Sequence, residues 1–164
     1  MKINKKEFQI FLEVARKLNN NFNIVPILFG SLGLYRKIGE SGKANDIDIL
    51  VPDSFLKEKW SELIKLMESL NFKLSNEKEH EFIKNSEIVA FGKASNLAEI
   101  SKINPDILKI SEVDKVKFKE LSAEHYLLCY QSMLRDHYRQ KKRGKADEEK
   151  IALIKKYLEE KKNN

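Results

Sequence analysis

The sequence predicts an α/β (α+β) fold in which helices flank a mixed β-sheet, with further helices in the C-terminal part. Ile24–Phe29 is a continuous apolar run and therefore indicates a buried strand. Asp46–Val51 alternates between acidic and apolar residues, which is typical of a strand with one buried face. Apolar residues at helical spacing precede, separate and follow these strands. At 164 residues and 41% hydrophobic content, the chain can bury a core without disulfide or metal cross-links.

The first half of the chain is predicted to contain three helices around these two strands. Asn4–Leu18 forms the first helix, and Asn4 and Glu7 match an N-terminal capping box. Gly30 allows a tight turn after the first strand, and Ser31 is predicted to cap a short second helix. A third helix opens at Pro52 and carries an apolar stripe made of Leu56, Trp60, Leu63, Met67 and Leu70.

The second half continues with short strands and ends in helices. Three short strands are predicted at Phe72–Leu74, His80–Ile83 and Glu87–Phe91. The last two are expected to form a hairpin. A short helix and two extended segments follow at Leu97–Ile103, Ile107–Ile110 and Val113–Phe118. Ser122 caps a helix that reaches Gln140, Gly144 breaks it, and Asp147 caps the last helix. The chain therefore divides into an α/β core, residues 1–120, and a C-terminal helical extension, residues 121–164, packed as one compact domain.

Composition limits the cellular locations and the kinds of binding partner that we expect for this chain. Cys129 is the only cysteine, which excludes an intramolecular disulfide, and no stretch approaches the roughly 18 apolar residues of a membrane span. Without an apolar signal region at the amino terminus, we expect a cytoplasmic protein, and its lysine-rich basic content agrees with a bacterial source. The net charge of +6 and pI near 9.2 favour anionic partners, and the densest basic run is Arg135–Lys145.

Chemistry is concentrated between the first two strands. Asp46 and Asp48 are two residues apart in an extended segment, so both carboxylates project from one face and can share a divalent cation. Gly30 and Ser31 lie at a helix start, where unpaired N–H groups and the positive end of the helix dipole favour phosphate. This combination favours metal-assisted phosphoryl chemistry.

Phe29-Gly30-Ser31 followed by Asp46-Ile47-Asp48-Ile49 resembles the signature of the DNA-polymerase-beta-like nucleotidyltransferase superfamily. The resemblance covers residues 24–52 and implies a nucleotidyltransferase-like mixed sheet with C-terminal helices. It also implies that Gly30 and Ser31 hold the terminal phosphates of a nucleoside triphosphate such as ATP, and that Asp46 and Asp48 bind magnesium.

Members of such families commonly carry a third carboxylate on a neighbouring strand. Glu87 is the first choice for this catalytic and metal-binding role, because Glu87–Phe91 repeats the form of an acid followed by apolar residues. Glu81 is the alternative, and the absence of any third ligand remains open. With a third acid, two magnesium ions would be held by this set of carboxylates.

Four further positions are assigned weaker roles. Arg36 and Lys43 lie between the turn and the metal strand, where a cation could neutralise phosphate, although either could equally be a surface residue. Asp147 and Lys150 follow the basic run and are similar to the tail of antibiotic nucleotidyltransferases, which implies an acceptor-side role for them.

These observations favour a small magnesium-dependent nucleotidyltransferase that moves a nucleoside monophosphate to a hydroxyl and releases pyrophosphate. The acceptor could be a small molecule, a protein or an RNA end, and no membrane is involved. Two other hypotheses stay open. One is a non-catalytic nucleotide-binding or antitoxin-like module of the same fold, and the other is a basic nucleic-acid-binding domain whose affinity depends strongly on salt.

Overall fold

The computed structural model describes residues 4–40, 42, 44–135 and 137–163, with the backbone alone for 137–143. The α-helices are α1 (Lys5–Phe22), α2 (Gly30–Ile38), α3 (Trp60–Ser69), α4 (Ser95–Ser101), α5 (Ala123–Leu134) and α6 (His137–Lys162). The strands are β1 (Ile27–Phe29), β2 (Asp46–Val51), β3 (Lys73–Asn76), β4 (Glu81–Lys84), β5 (Glu87–Lys93), β6 (Lys109–Val113) and β7 (Val116–Glu120). Two short 3-10 helices, Asp53–Leu56 and Pro105–Ile107, complete the described part of the chain.

The strands form one seven-stranded mixed sheet in the order β3-β4-β5-β2-β1-β7-β6. The central strands β1 and β2 are antiparallel, whereas β2 runs parallel to β5 and β1 runs parallel to β7. The remaining neighbours are antiparallel, namely β3 with β4, β4 with β5, and β6 with β7. This arrangement confirms the predicted mixed sheet flanked by helices.

Each face of the sheet supports its own apolar core. Ile47, Ile49 and Val51 of β2 pack into the first core, together with buried residues of α1 and α3. Leu50 points to the other face, where it belongs to the second core with residues of α2, α4, α5 and α6. The period-two alternation of β2 therefore places its acidic residues on the side that the C-terminal helices cover.

Two predicted helix caps differ from the structure. Asn4 precedes α1 in a left-handed conformation, φ 51°, and its side chain makes no capping hydrogen bond. Helix α2 begins at Gly30 rather than after Ser31, so Ser31 lies inside its first turn and does not act as the cap. The Ser122 cap is confirmed, because its hydroxyl accepts a hydrogen bond from the backbone N–H of His125 at 3.1 Å.

The C-terminal helices differ from the prediction in their division. Helix α5 ends at Leu134, and α6 runs from His137 through Gly144 to Lys162. Gly144 therefore does not break the helix, and Asp147 is an interior helical residue rather than a cap. Gly144 and Asp147 are both buried within α6, and Asp147 is 0% exposed. Tertiary packing therefore outweighs the low intrinsic helix propensity of glycine at this position. Among the described residues, none of the helices combines the length and the apolar composition that a membrane span requires.

Candidate nucleotide and metal site

A cavity of about 190 Å³ opens beside the central strands, where β1 and β2 meet the C-terminal helices. Its walls come from the β1–α2 junction, from β2, from α5 and from α6. The residues that line it are Phe29, Gly30, Ser31, Asp46, Asp48, Tyr130, Met133 and Lys150. Four residues predicted for nucleotide and metal binding therefore lie in one cavity, together with one predicted acceptor-side residue.

The register of the central strands sets the positions of the two acids. Asp48 pairs with Phe29 at the end of β1, which brings its carboxylate to the start of α2. Ile47 and Ile49 are 1% and 0% exposed on the opposite face, so their burial fixes the orientation of β2. Asp46 and Asp48 consequently project together into the cavity.

Gly30 makes close contact with Asp48. Its φ of +69° lies in the left-handed region, which favours glycine. A Cβ atom at this position would lie only 2.8 Å from Cγ of Asp48 and would overlap the carboxylate. The missing side chain thus lets the Asp48 carboxylate approach the first turn of α2, where Ser31 and free backbone N–H groups also lie.

The C-terminal helices supply the cationic and aromatic wall of the cavity. Lys150 is only 7% exposed, and its Nζ lies 5.3 Å from the centroid of the Tyr130 ring. A buried ammonium beside two acids can neutralise negative charge that a ligand brings into the cavity. Asp147 lies one turn earlier on α6 and is not among the residues that line this cavity. Its acceptor-side role therefore stays a prediction.

Glu87 lies on the wrong face for its predicted role. In the parallel pairing of β2 with β5, Asp46 is opposite Ile88 and Asp48 is opposite Ala90. Neighbouring partners share a face, so Glu87 points to the other side of the sheet. There it forms an ion pair with Lys6 of α1 at 3.2 Å. The structure therefore corrects the choice of Glu87 as third ligand, because strand register separates it from both aspartates.

Glu81, unlike Glu87, lies on the face of the sheet that carries Asp46 and Asp48. It pairs with Ala90, which in turn pairs with Asp48, so these three residues form one row across β4, β5 and β2. Burial raises the pKa of the Glu81 carboxyl, and the negative charges of Asp46 and Glu79 raise it further. Asp46 and Glu81 therefore interact electrostatically across the intervening strand.

Asp46 and Asp48 provide two carboxylates in one cavity, which suits a magnesium ion that completes its ligands from the substrate. Within the described residues, no set of three or more Asp, Glu, His or Cys side chains is gathered tightly enough to hold a metal ion. In nucleotide sites, however, Mg²⁺ commonly takes one or two carboxylates and completes its shell with substrate phosphates and water. Asp46 and Asp48 fit that donor set.

The remaining predicted phosphate-binding residues are not brought into the cavity. Arg36 stacks on the ring of Phe8, with Cζ 3.9 Å from the centroid, and its Nε lies 3.9 Å from Oε1 of Glu120. Packing against α1 and β7 thus accounts for Arg36, and its predicted phosphate contact does not agree with this position. Lys43 lies outside the described residues, as do the side chains of most of the basic run.

Sequence reasoning missed three residues that line the cavity, namely Phe29, Tyr130 and Met133. Tyr126, Tyr130 and Met133 follow a spacing of four and three residues on α5, which indicates a buried helix face. Tyr126 is part of the apolar core, whereas Tyr130 and Met133 line the cavity. The spacing of these residues alone therefore does not separate a core position from a cavity wall.

This chain is similar in sequence to one bacterial protein and in fold to solved structures of an antibiotic-resistance factor. No protein-family model matches it. The uncharacterized protein YnaI of Bacillus subtilis (strain 168) is 33% identical over 153 residues, covering 93% of this chain and 98% of YnaI. The solution structure of the antibiotic-resistance factor ANT(2'')-Ia matches with a TM-score of 0.59 at 16% identity, covering 92% of this chain and 84% of that one. The crystal structure of ANT(2'')-Ia in complex with adenylyl-2''-tobramycin matches with a TM-score of 0.59 at 14% identity, covering 94% and 90%. These likenesses confirm the nucleotidyltransferase-like fold.

Proposed function

We propose that this chain, which belongs to the same family as the Bacillus subtilis protein YnaI, is a magnesium-dependent nucleotidyltransferase. It would move a nucleoside monophosphate from a nucleoside triphosphate to a hydroxyl and release pyrophosphate. The observation that carries the proposal is the single cavity shared by Gly30, Ser31, Asp46, Asp48 and Lys150. The fold supports it further, since similar structures include ANT(2'')-Ia bound to an adenylylated antibiotic.

In this proposal each part of the cavity has a defined task. The first turn of α2, with Ser31 and its unpaired N–H groups, would bind the terminal phosphates of the triphosphate. Asp46 and Asp48 would hold Mg²⁺, which when bound supplies neutralisation of phosphate charge. Lys150 would add a second positive charge from the opposite wall, at the side where the acceptor enters.

The reaction is an in-line displacement at the α-phosphorus. The acceptor oxygen forms a bond to that phosphorus while the bond from phosphorus to the β-phosphate oxygen breaks. The hydroxyl proton leaves to a carboxylate, and pyrophosphate departs with the electron pair of the broken bond. Ser31 and the N–H groups of the first turn of α2 stabilise the departing phosphates because these donors are fixed before the substrate arrives.

The test compares wild-type protein with the double variant Asp46→Asn and Asp48→Asn. Each nucleoside triphosphate, labelled in its α-phosphate, is incubated with Mg²⁺ and with tobramycin, lincomycin or a short RNA. Labelled product and pyrophosphate are measured, with water as the default acceptor. Asp106→Asn serves as the matched control, because it removes an exposed carboxylate that does not line the cavity.

We expect wild type and the Asp106 variant to release pyrophosphate at equal rates and the double variant to fall to background with an unchanged fold by circular dichroism. Turnover in the double variant would refute the assignment. Failure of the wild-type protein to bind any nucleoside triphosphate with Mg²⁺ would refute it as well.

One observation favours a second candidate function, a nucleotide-binding module without catalysis. The positions beside Asp46 and Asp48 on β5 are Ile88 and Ala90, so the adjacent strand supplies no third carboxylate. This candidate predicts that nucleotide binds with Mg²⁺ and that binding depends on the aspartates, while no pyrophosphate is released. A nucleic-acid-binding domain would instead show strong salt dependence and indifference to Asp46.

A further inference from the structure

We propose that a row of side chains leading away from Asp46 binds the acceptor, and that this acceptor is a small hydroxyl compound with an apolar body and an anionic far end. The proposal rests on the proposed nucleotidyltransferase function and deepens it by naming the class of acceptor. The acceptor row takes one residue from each of four neighbouring strands, namely Asp46, Ile88, Ile83 and Lys73.

Strand pairing creates the acceptor row. Asp46 of β2 pairs with Ile88 of β5. Ile88 pairs in turn with Ile83 of β4, and Ile83 pairs with Lys73 of β3. Direct partners in a sheet point to the same face, so the whole row lies on the face that carries the nucleotide and metal site. Neighbouring strands are about 4.8 Å apart, so the row extends roughly 14 Å from Asp46 to Lys73.

Helices cover this part of the sheet on its opposite face. There Phe82 and Val89 belong to the first core. On the face of the acceptor row, the second core ends at Leu50 of β2, and none of its described members comes from β3, β4 or β5. Ile88 is half-buried beside Asp46, and Ile83 is 37% exposed, although isoleucine is among the residues most often buried. An apolar ligand that lies along the row would remove both side chains from water.

A second cavity, of about 310 Å³, lies at the far end of the row. Its described lining residues are Asn71, Lys73, Ile83, Lys84, Asn85 and Ser86. This set contains two lysines and no acid, so its charge favours an anion. In the described part of the chain Lys73 forms no ion pair, whereas Nζ of Lys84 lies 5.5 Å from the centroid of the Phe72 ring. Lys73 is therefore the cation that we expect to meet the anionic end of the acceptor.

These features together define the chemistry of the acceptor. Its hydroxyl would lie at the Asp46 end of the row, beside the nucleotide, and react in the displacement described above. Its apolar body would pack on Ile88 and Ile83, and its carboxylate or phosphate would reach Lys73. A polycationic acceptor such as tobramycin would instead meet like charge at the far end, which is unfavourable.

The first experiment measures the binding of three probes of similar length by titration calorimetry, without nucleotide or metal. Their far ends are anionic in ω-hydroxydecanoate, cationic in ω-aminodecanol and uncharged in decanediol. We expect wild type to bind ω-hydroxydecanoate best. Lys73→Met should weaken that binding by about two- to fivefold, as expected for an exposed ion pair, and leave decanediol unchanged. Lys78→Met is the matched control, because Lys78 is an exposed lysine between β3 and β4 that lines neither cavity.

Two further variants separate charge from apolar contact. Lys73→Glu reverses the charge at the far end, so it should weaken ω-hydroxydecanoate more than Lys73→Met does and strengthen ω-aminodecanol. Ile83→Thr keeps a β-branched residue in the strand but removes apolar surface, so it should weaken all three probes by about fourfold. Circular dichroism checks that each variant keeps the fold.

The second experiment adds Mg²⁺ and each nucleoside triphosphate and measures nucleotidylated product. We expect ω-hydroxydecanoate to be modified faster than ω-aminodecanol or tobramycin. Lys73→Met should raise the KM for ω-hydroxydecanoate and leave the KM for the nucleotide unchanged, because Lys73 contacts only the acceptor.

The outcomes distinguish this proposal from the proposed function. If the three probes bind equally well, or none binds, while wild type transfers nucleotide to tobramycin or a short RNA, the acceptor class is refuted and the proposed function stands. An equal effect of Lys73→Met and Lys78→Met would also refute the acceptor row, since the effect of charge would then be unspecific. If wild type binds no nucleoside triphosphate with Mg²⁺, the proposed function fails and the acceptor assignment fails with it.

Discussion

Alanine at position 30 would meet two energetic costs that the structure allows to be separated. The first is the backbone, because Gly30 has φ +69°, a conformation that costs an L-residue about 1–2 kcal/mol. The second is space, because the new Cβ would lie 2.8 Å from Cγ of Asp48 and would force the carboxylate or α2 to move. Overpacking of this kind typically costs about 1–3 kcal/mol.

Gly39 provides the matched control, since it shares the backbone cost and lacks the overlap. Its φ is +72°, and a Cβ built on it meets nothing within 4 Å. Alanine also restricts the unfolded chain and thereby stabilises either variant by about 0.4–1 kcal/mol, an effect that cancels in the comparison. Gly30→Ala should therefore be less stable than Gly39→Ala by about 1–3 kcal/mol.

The assay is thermal unfolding followed by nucleotide titration. For a chain of this length, about 1 kcal/mol shifts the melting temperature by roughly 2–4 °C, so the two variants should differ by roughly 2–12 °C. Gly30→Ala should also weaken binding of ATP with Mg²⁺ by at least about tenfold, because Asp48 is displaced from its partner Asp46. Gly39→Ala should bind nucleotide as wild type does. Equal melting temperatures for the two variants, with nucleotide affinity retained in Gly30→Ala, would refute the role assigned to this contact.

Three other predictions address charge and packing. Lys150→Met should weaken triphosphate binding by about tenfold or more, whereas the exposed Lys155→Met on the same helix should not, as titration calorimetry would show. Burial raises the pKa of the Glu120 carboxyl, but the Ser111 hydrogen bond and the charges of Lys37 and Arg36 outweigh it and lower the pKa overall. The stabilisation from Glu120 should thus be complete above its ordinary pKa of 4.5 and lost as the pH falls below it, and urea unfolding of Glu120→Gln should show a weaker acid dependence. A Cβ on Gly33 would overlap the hydroxyl of Tyr126, so Tyr126→Phe should restore part of the stability lost in Gly33→Ala, and additive losses would contradict this contact.

Local patterns in the sequence were sufficient for most of the fold. Strand β2 has the predicted limits, because its alternation matches a sheet with a buried face. The hairpin between β4 and β5 was predicted from its polar residues, and Asn85 and Ser86 adopt φ of 50° and 70°, as a two-residue turn requires. Helix α6 was divided wrongly at Gly144, because packing of the surrounding residues determines whether a helix continues through glycine. The proposed boundary at residue 120 stays a prediction.

For the site, too, residues that lie close together in the sequence were predicted, and residues from distant helices were not. Gly30, Ser31, Asp46 and Asp48 lie in one cavity because a short antiparallel pairing joins their strands, and their spacing carries that information. Tyr130, Met133 and Lys150 come from helices about 100 residues later, and their arrival depends on packing across the whole domain. Apolar spacing on α5 predicts burial but does not distinguish a core from the wall of a cavity.

The third carboxylate shows why register limits such predictions. A shift of one residue in the pairing of β5 with β2 would turn Glu87 toward the aspartates and Ile88 away from them. The segment Glu87–Phe91 does not select between these registers by itself, because Ile88, Val89 and Phe91 are all apolar and an apolar core lies on each face of the sheet. The choice is made by α3 and α1, whose apolar side chains pack with Val89 and Phe91 in the first core. Once that core forms, β5 presents Ala90 to the cavity, and Glu81 of β4 is the acid left facing the pair.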